Sequence, residues 1–153
     1  MLKAIPKHAF SGDFHIFRED GSEIAFLDIA TFKEAADLII EGVTYRFERE
    51  KMLKGAFLLK MGDEVFIKAE KPSAFRNQFE LTIHGDAYLL KRVSVWKREY
   101  VLEKDGEIIG NIRPTGAFSR KSEIDLPENW PVVVQIFIFW LVLIIWNREA
   151  AAS

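Results

Sequence analysis

The chain contains no cysteine. Disulfides, thiolate metal sites and a cysteine nucleophile are therefore excluded. Small secreted domains often rely on disulfide bridges, so their absence favours a cytoplasmic location. A basic excess is also missing, because 21 Lys and Arg face 23 Asp and Glu for a net charge of −2. Nothing global draws such a chain to nucleic acid or to anionic lipid. Histidines number only three, His8, His15 and His84, and no two have zinc-ligand spacing. No Gly-rich phosphate loop, nucleophile elbow or Ser-His-Asp order occurs. Ser11, Asp13 and His15 lie close together. In a strand, Asp13 and His15 share a face without placing a nucleophile. The opening "MLKAIPKHAF" lacks the apolar stretch of a secretory signal. The expectation is a protein with no enzymatic activity and no cofactor.

What is present is hydrophobic and aromatic. The 153 residues are 49% hydrophobic and include 13 Phe. That suffices for one domain with a real core, and aromatics favour pleated, half-buried surfaces. Turn signals recur at Gly21, Gly42, Gly62, Gly85 and Gly106, beside acidic or polar residues in "EDGS", "IEGV", "KMGDE", "IHGDA" and "KDGE". Such pairs supply the positive φ of tight hairpins. Between them the pattern alternates with period two. "FELTI" sets Phe79, Leu81 and Ile83 against Glu80 and Thr82. "VFIKAE" sets Val65, Ile67 and Ala69 against Phe66, Lys68 and Glu70, and "TYRFERE" sets Tyr45 and Phe47 against Arg46 and Glu48. The body reads as an antiparallel meander. Thr31 and Glu34 have capping-box spacing ahead of Ala35 and Ala36, which predicts a short helix or turn near 31–37. The segment 70–77 reads as a loop with another helical turn, and Pro114 with Gly116 marks a turn at 112–118.

The segment "WPVVVQIFIFWLVLIIWNR" then breaks the pattern, with Gln135 the sole polar residue between Pro131 and Trp146. Pro131 suits a helix's first turn, so a helix is expected from Trp130 or Pro131 to about Glu149. Its apolar part spans roughly 24 Å, against about 30 Å for a bilayer core. Trp130 and Trp146 at its ends suit an aromatic belt, so a single-pass membrane anchor over 131–146 is one reading. The other is burial inside protein, the alternative for a helix apolar all round. At about 11 residues per strand and turn, the preceding body makes roughly 11 or 12 strands. A closed barrel of that size has room for a central helix. There Gln135 needs a partner from the wall or a trapped water.

The succession "YRFERE", "GAFLLKMGDEVFIKAEKPSAFRNQFEL", "GDAYLLKR" and "YVLEKDGEIIGNIRP", closed by the apolar helix, resembles the tubby C-terminal-like superfamily. That group includes tubby proteins, phospholipid scramblases and plant LURP-one-related proteins. The likeness covers nearly the whole chain, and its most specific parts are "DGEIIGNI" (105–112) and the helix. It implies one mainly β domain, a closed antiparallel barrel of about 12 strands around a hydrophobic C-terminal helix. Trp130, Gln135, Phe137, Phe139, Trp140 and Trp146 would belong to that central helix.

The resemblance also directs attention to lipid. Scramblases carry an acidic calcium-binding stretch before the terminal helix. Here "SRKSEIDLPENWP" keeps Glu123, Asp125 and Glu128 but lacks a compact acidic series, and Arg120 and Lys121 oppose a cation. No metal site is expected. Tubby domains bind phosphoinositide head groups through basic barrel residues, none of which can be matched position by position. The basic candidates are Lys91, Arg92, Lys97 and Arg98 around Trp96, together with Arg113, Arg120 and Lys121. The first group is the candidate reader of anionic phospholipid at a membrane surface. The alternative role is solubility and cross-strand pairing, favoured by Glu99 and Glu103 nearby. His84 is expected on the polar face beside a turn. The overall expectation is a cytoplasmic, membrane-associated binding or scaffolding module, with an unidentified protein partner and no nucleic acid. A scramblase-like or lipid-modifying protein is the further alternative.

Overall fold

The computed structural model of the protein describes residues 1–9, 12–51, 54–72, 77–94, 96–116 and 119–152. Twelve strands precede one helix. They are β1 (Leu2–Pro6), β2 (Phe14–Arg18), β3 (Glu23–Ile29), β4 (Ala35–Ile40), β5 (Val43–Lys51) and β6 (Lys54–Met61). Then come β7 (Glu64–Glu70), β8 (Gln78–Ile83), β9 (Asp86–Arg92), β10 (Tyr100–Lys104), β11 (Glu107–Pro114) and β12 (Ser122–Asp125). The helix, α1, is Val132–Ala152. Each strand pairs antiparallel with its sequence neighbour, and β1 pairs with β12 to close the barrel. The expected meander and closed barrel are both present.

The helix occupies the lumen. Every residue from Val134 to Trp146 is buried, so no face of the helix meets solvent over that stretch. Wall rings hold it from several sides. Phe14 of β2 meets Phe139 edge-on at 5.3 Å, Phe47 of β5 meets Phe137 at 5.3 Å, and Phe57 of β6 meets Trp140 at 5.8 Å. Such edge-to-face pairs add to plain area burial. α1 is long and apolar enough to cross a membrane, yet 72% of its most apolar stretch is buried inside the barrel. Its ends are tied into the wall. Trp130, expected within the helix, lies in the bend just before it and packs edge-on against Tyr88 at 5.2 Å, and Trp146 Nε1 donates to the Arg98 carbonyl at 3.1 Å. The Pro131 carbonyl accepts the first helical bonds, from Val134 and Gln135. Gln135 Nε2 donates to the Trp130 carbonyl at 3.0 Å, so its partner is the chain entering the helix rather than the expected wall or water.

The two ends of the barrel differ. At one end, here the turn end, two-residue hairpins at Glu41–Gly42, His84–Gly85 and Asp105–Gly106 hold both residues at positive φ. That is type I′ geometry, whose twist suits paired strands. α1 enters at this end. At the other, the loop end, where the helix C-terminus lies, all connections but β5–β6 are longer. In "DGEIIGNI", Gly110 admits a close approach, because a Cβ there would lie 2.5 Å from the Asp125 carbonyl oxygen.

Two local expectations are corrected. At the short helix or turn expected near 31–37, the chain bends at 31–34 without forming a helix, and Ala35 and Ala36 already begin β4. Ala36 faces the lumen across from Phe47, where a small side chain makes room for a large one. Val65 does not share the inward face of Ile67 and Ala69. A bulge pairs Ile67 with Leu59 but Val65 with Lys60, which leaves Val65 and Phe66 each 47% exposed. One inserted residue reverses which face follows. The helical turn expected at 70–77 falls largely on residues 73–76, outside the described residues.

Two outcomes follow from a core built on the helix. Deleting residues 130–153 removes the lumen contents, which far exceeds a domain's net stability of about 5–15 kcal/mol. The truncated chain is expected to lack a cooperative thermal transition in circular dichroism, whereas a tethered independent domain would retain one. Trp140→Ala is expected to cost about 3–5 kcal/mol in urea unfolding, as for large-to-small changes in a packed core.

Candidate functional site

The loop end collects the charged side chains. Glu34, in the β3–β4 connection, accepts from Arg49 of β5 at 3.0 Å and from Arg148 of α1 at 2.6 and 2.8 Å. One carboxylate therefore bridges wall and helix. Both guanidinium groups lie over the Phe57 ring, Arg49 at 4.7 Å and Arg148 at 5.9 Å. Lys71 titrates below its ordinary value, chiefly because burial disfavours its charge and also because Arg148 and Arg49 stand near. Beside this cluster is an open cavity of about 630 Å³, with Lys33, Lys51 and Asn147 among its polar lining and Trp140, Leu143 and Ile144 deeper in.

The β9–β10 connection forms another side of the mouth. Arg92 pairs with Glu149 of α1 and donates through Nε to the Lys97 carbonyl at 2.8 Å. Asn77 Nδ2 donates to the same Glu149 carboxylate at 3.0 Å. Arg98 stacks over the Trp146 ring at 4.6 Å and donates to the Ser119 carbonyl at 3.2 Å. Burial, with Arg92 adding to it, pushes the Arg98 guanidinium below its ordinary value, against an opposing pull from Glu149. Burial also raises the Tyr100 phenol. Arg120 crosses to the carbonyls of His8 and Ala9, both at 2.8 Å.

The sequence-derived basic candidates therefore separate. Arg92, Trp96, Lys97 and Arg98 all lie at the mouth, but Arg92 and Arg98 turn inward to hold the helix end. Lys91 is on the outer wall, paired with Glu103 at 2.8 Å. Trp96 and Lys97 project into solvent, Trp96 at 90% exposure. Arg113 pairs with Glu123 on the wall, and Glu128 with the N-terminal amine at 3.3 Å. Sequence reasoning missed Phe32, 99% exposed in the β3–β4 connection, and the Glu34–Arg49–Arg148 cluster. The visible signal for Phe32 was an aromatic set among Thr, Lys and Glu. The β3–β4 and β9–β10 connections lie six strands apart in a ring of twelve, so Phe32 and Trp96 sit on opposite rims of the mouth.

Charge is divided between the two ends. Taking each connection with its flanking strand residues, and the helix tail 147–152, the loop end carries 10 Lys and Arg against 5 Asp and Glu among the residues whose side chains are described. On the same basis the turn end, including 125–131, carries 2 against 11. The near-neutral total conceals a strongly polarised barrel.

The remaining sequence candidates are engaged separately. Asp13 accepts the Ile29 N–H at 2.8 Å, His15 Nδ1 pairs with Glu23, and Ser11 lies outside the described residues. His84 is exposed at its turn. Among the described residues no three His, Asp or Glu side chains gather as a metal would require. Comparison with protein-family models, curated proteins and solved structures finds no match to the chain.

One carboxyl on the outer wall is strained by its surroundings. Asp28 titrates above its ordinary value, first through desolvation, then through the Asp13 and Asp37 charges and a hydrogen bond with Asp13, with Lys7 opposing. A raised folded pKa means that the folded state prefers the protonated form, so the penalty holds above the folded pKa and disappears below the unfolded one. Asp28→Asn is expected to raise the melting temperature near pH 7, with the gain shrinking toward pH 3. A gain independent of pH would contradict this origin.

Proposed function

We propose that the protein is a non-enzymatic, tubby-like barrel that docks on anionic phospholipid surfaces by its loop end. The observation that carries the reading is the pairing of a basic mouth with two solvent-projecting aromatics, Phe32 and Trp96, on opposite rims. Basic residues near an anionic leaflet contribute about 1 kcal/mol each, and aromatic side chains favour the headgroup region. A barrel with opposite charge at its two ends approaches such a surface loop end first. The cytoplasmic leaflet carries the anionic lipid, which agrees with a chain that uses no cysteine. The tubby-like assignment is supported by the closed wall around a C-terminal helix and by the turn and close-approach Gly110 in "DGEIIGNI". With the loop end on the membrane, the turn end is presented to other proteins, as a scaffold requires.

The single-pass reading draws on the 21-residue length of α1. It would require the helix to leave the lumen and the wall to find another filling.

Vesicle co-sedimentation tests the membrane reading. The protein is expected to pellet with phosphatidylcholine vesicles containing phosphatidylserine, and not with phosphatidylcholine alone. Binding should weaken steeply with salt. Lys97→Glu is expected to reduce the partition coefficient by about fivefold or more, from about 1 kcal/mol per charge at the surface. Equal partition into neutral vesicles, or no partition at low salt, would refute it.

A further inference from the structure

Around the helix N-terminus the turn end has an apolar recess of about 230 Å³, lined by residues that include Tyr45, Leu59, Met61, Phe66, Ile83 and Val133. Two of its lining residues are exposed, Met61 at 41% and Phe66 at 47%, and Val43 at 43% and Val65 at 47% are exposed on the same hairpins. Single exposed apolar residues are ordinary, but several on neighbouring hairpins form a patch. The hairpins carrying it, β4–β5, β6–β7 and β8–β9, bear Glu41, Asp63, Glu64 and Asp86 at their tips. An acidic ring around an apolar recess repels anionic lipid. It suits a partner that offers positive charge around a projecting apolar side chain.

The loop end of the same protein has that chemistry. Trp96 projects at 90% exposure with Lys97 beside it, on a face where, among the described side chains, Lys and Arg outnumber Asp and Glu by 10 to 5. We infer that the barrel stacks on itself head to tail. The basic loop end of one copy seats on the acidic turn end of the next, and Trp96 enters the recess beside Phe66. The size of the ends permits this. Twelve strands about 4.8 Å apart and tilted about 40° make a wall roughly 24 Å across, and side chains widen it to about 30 Å. Each end then offers on the order of 700 Å², close to the roughly 800 Å² per partner of a stable interface. The two surfaces differ, so the contact is heterologous. Repeated along the barrel axis it does not close on itself and builds an open row. Membrane and neighbour compete for one loop end, so anionic vesicles should shorten the rows.

Sedimentation of the full chain tests this without lipid. At about 0.02 M salt the average mass is expected to rise with concentration past the dimer, and at about 0.5 M salt to fall toward the monomer. Phe66→Ser and Trp96→Ser each remove one half of the contact from an exposed position. Each is expected to weaken association at least about tenfold, as for anchor residues of an interface. Mixed together, they leave one intact loop end and one intact turn end, so the mixture should stop at heterodimers. Glu64→Lys, a second turn-end variant, should weaken association without touching the recess. A wild-type chain that stays monomeric at low salt would overturn the inference. So would association that stops at the dimer, or that is indifferent to all three substitutions. Phe66→Ser should leave vesicle binding intact, which separates this contact from the membrane reading.

Discussion

A helix that is apolar on every face cannot be half-buried. From Val134 to Trp146 no side offers itself to water, so the protein must surround it. The wall is built to that demand. Inward positions on successive strands are mostly apolar, and two of the large wall rings pair across strands with small side chains, Phe47 with Ala36 and Phe57 with Ala69. That alternation lets the rings reach the helix without crowding one another. Fewer strands would leave the lumen too narrow for a helix, so the strand number and the helix are one solution to one constraint.

Enclosure also fixes the electrostatics. The first turn of α1 holds no acid and its last turn no base, so the helix itself does not complement its own dipole. The barrel supplies what it lacks. Acidic hairpins surround the positive N-terminus, and Arg92 and Arg98 lie at the negative C-terminal end. The same arrangement polarises the exterior, so a feature useful to the core becomes one that a membrane or another barrel can sense at a distance.

Much of the fold was legible because its signals are local. Each Gly turn is read within five residues, alternation within seven, and the apolar run within sixteen. The exceptions each have a distant cause. Ala35 and Ala36 carry good helix propensity, but their cross-strand register with β5 places them in the sheet. The bulge at Phe66 depends on β6 and leaves no mark in "VFIKAE". The site was less legible still. Arg92 and Arg98 read as a surface patch, while their partners Glu149 and Trp146 lie 57 and 48 residues away. Lys91 and Lys97 differ by an outward register and a loop position that sequence spacing does not separate. Phe32 carries no distinguishing signal, because Thr31 and Glu34 around it have capping-box spacing.

That α1 follows all twelve strands in sequence has a temporal consequence. Strands β1 to β12 are made before the residues that fill them, and domains assemble roughly in order of synthesis. A ring closed early would enclose a void and then have to admit 21 bulky residues end-on. The seam between β1 and β12 is short, pairing only Leu2 with Ile124, Lys3 with Glu123 and Ala4 with Ser122. It joins the two extremes of the wall, so its loop-closure entropy is the largest of any strand pair. Closure is therefore last, the sheet curling as an open trough until the helix lies along it. Until then the trough exposes its apolar face and two unpaired edges, so the interval before the seam forms is when this chain is most in need of protection from aggregation.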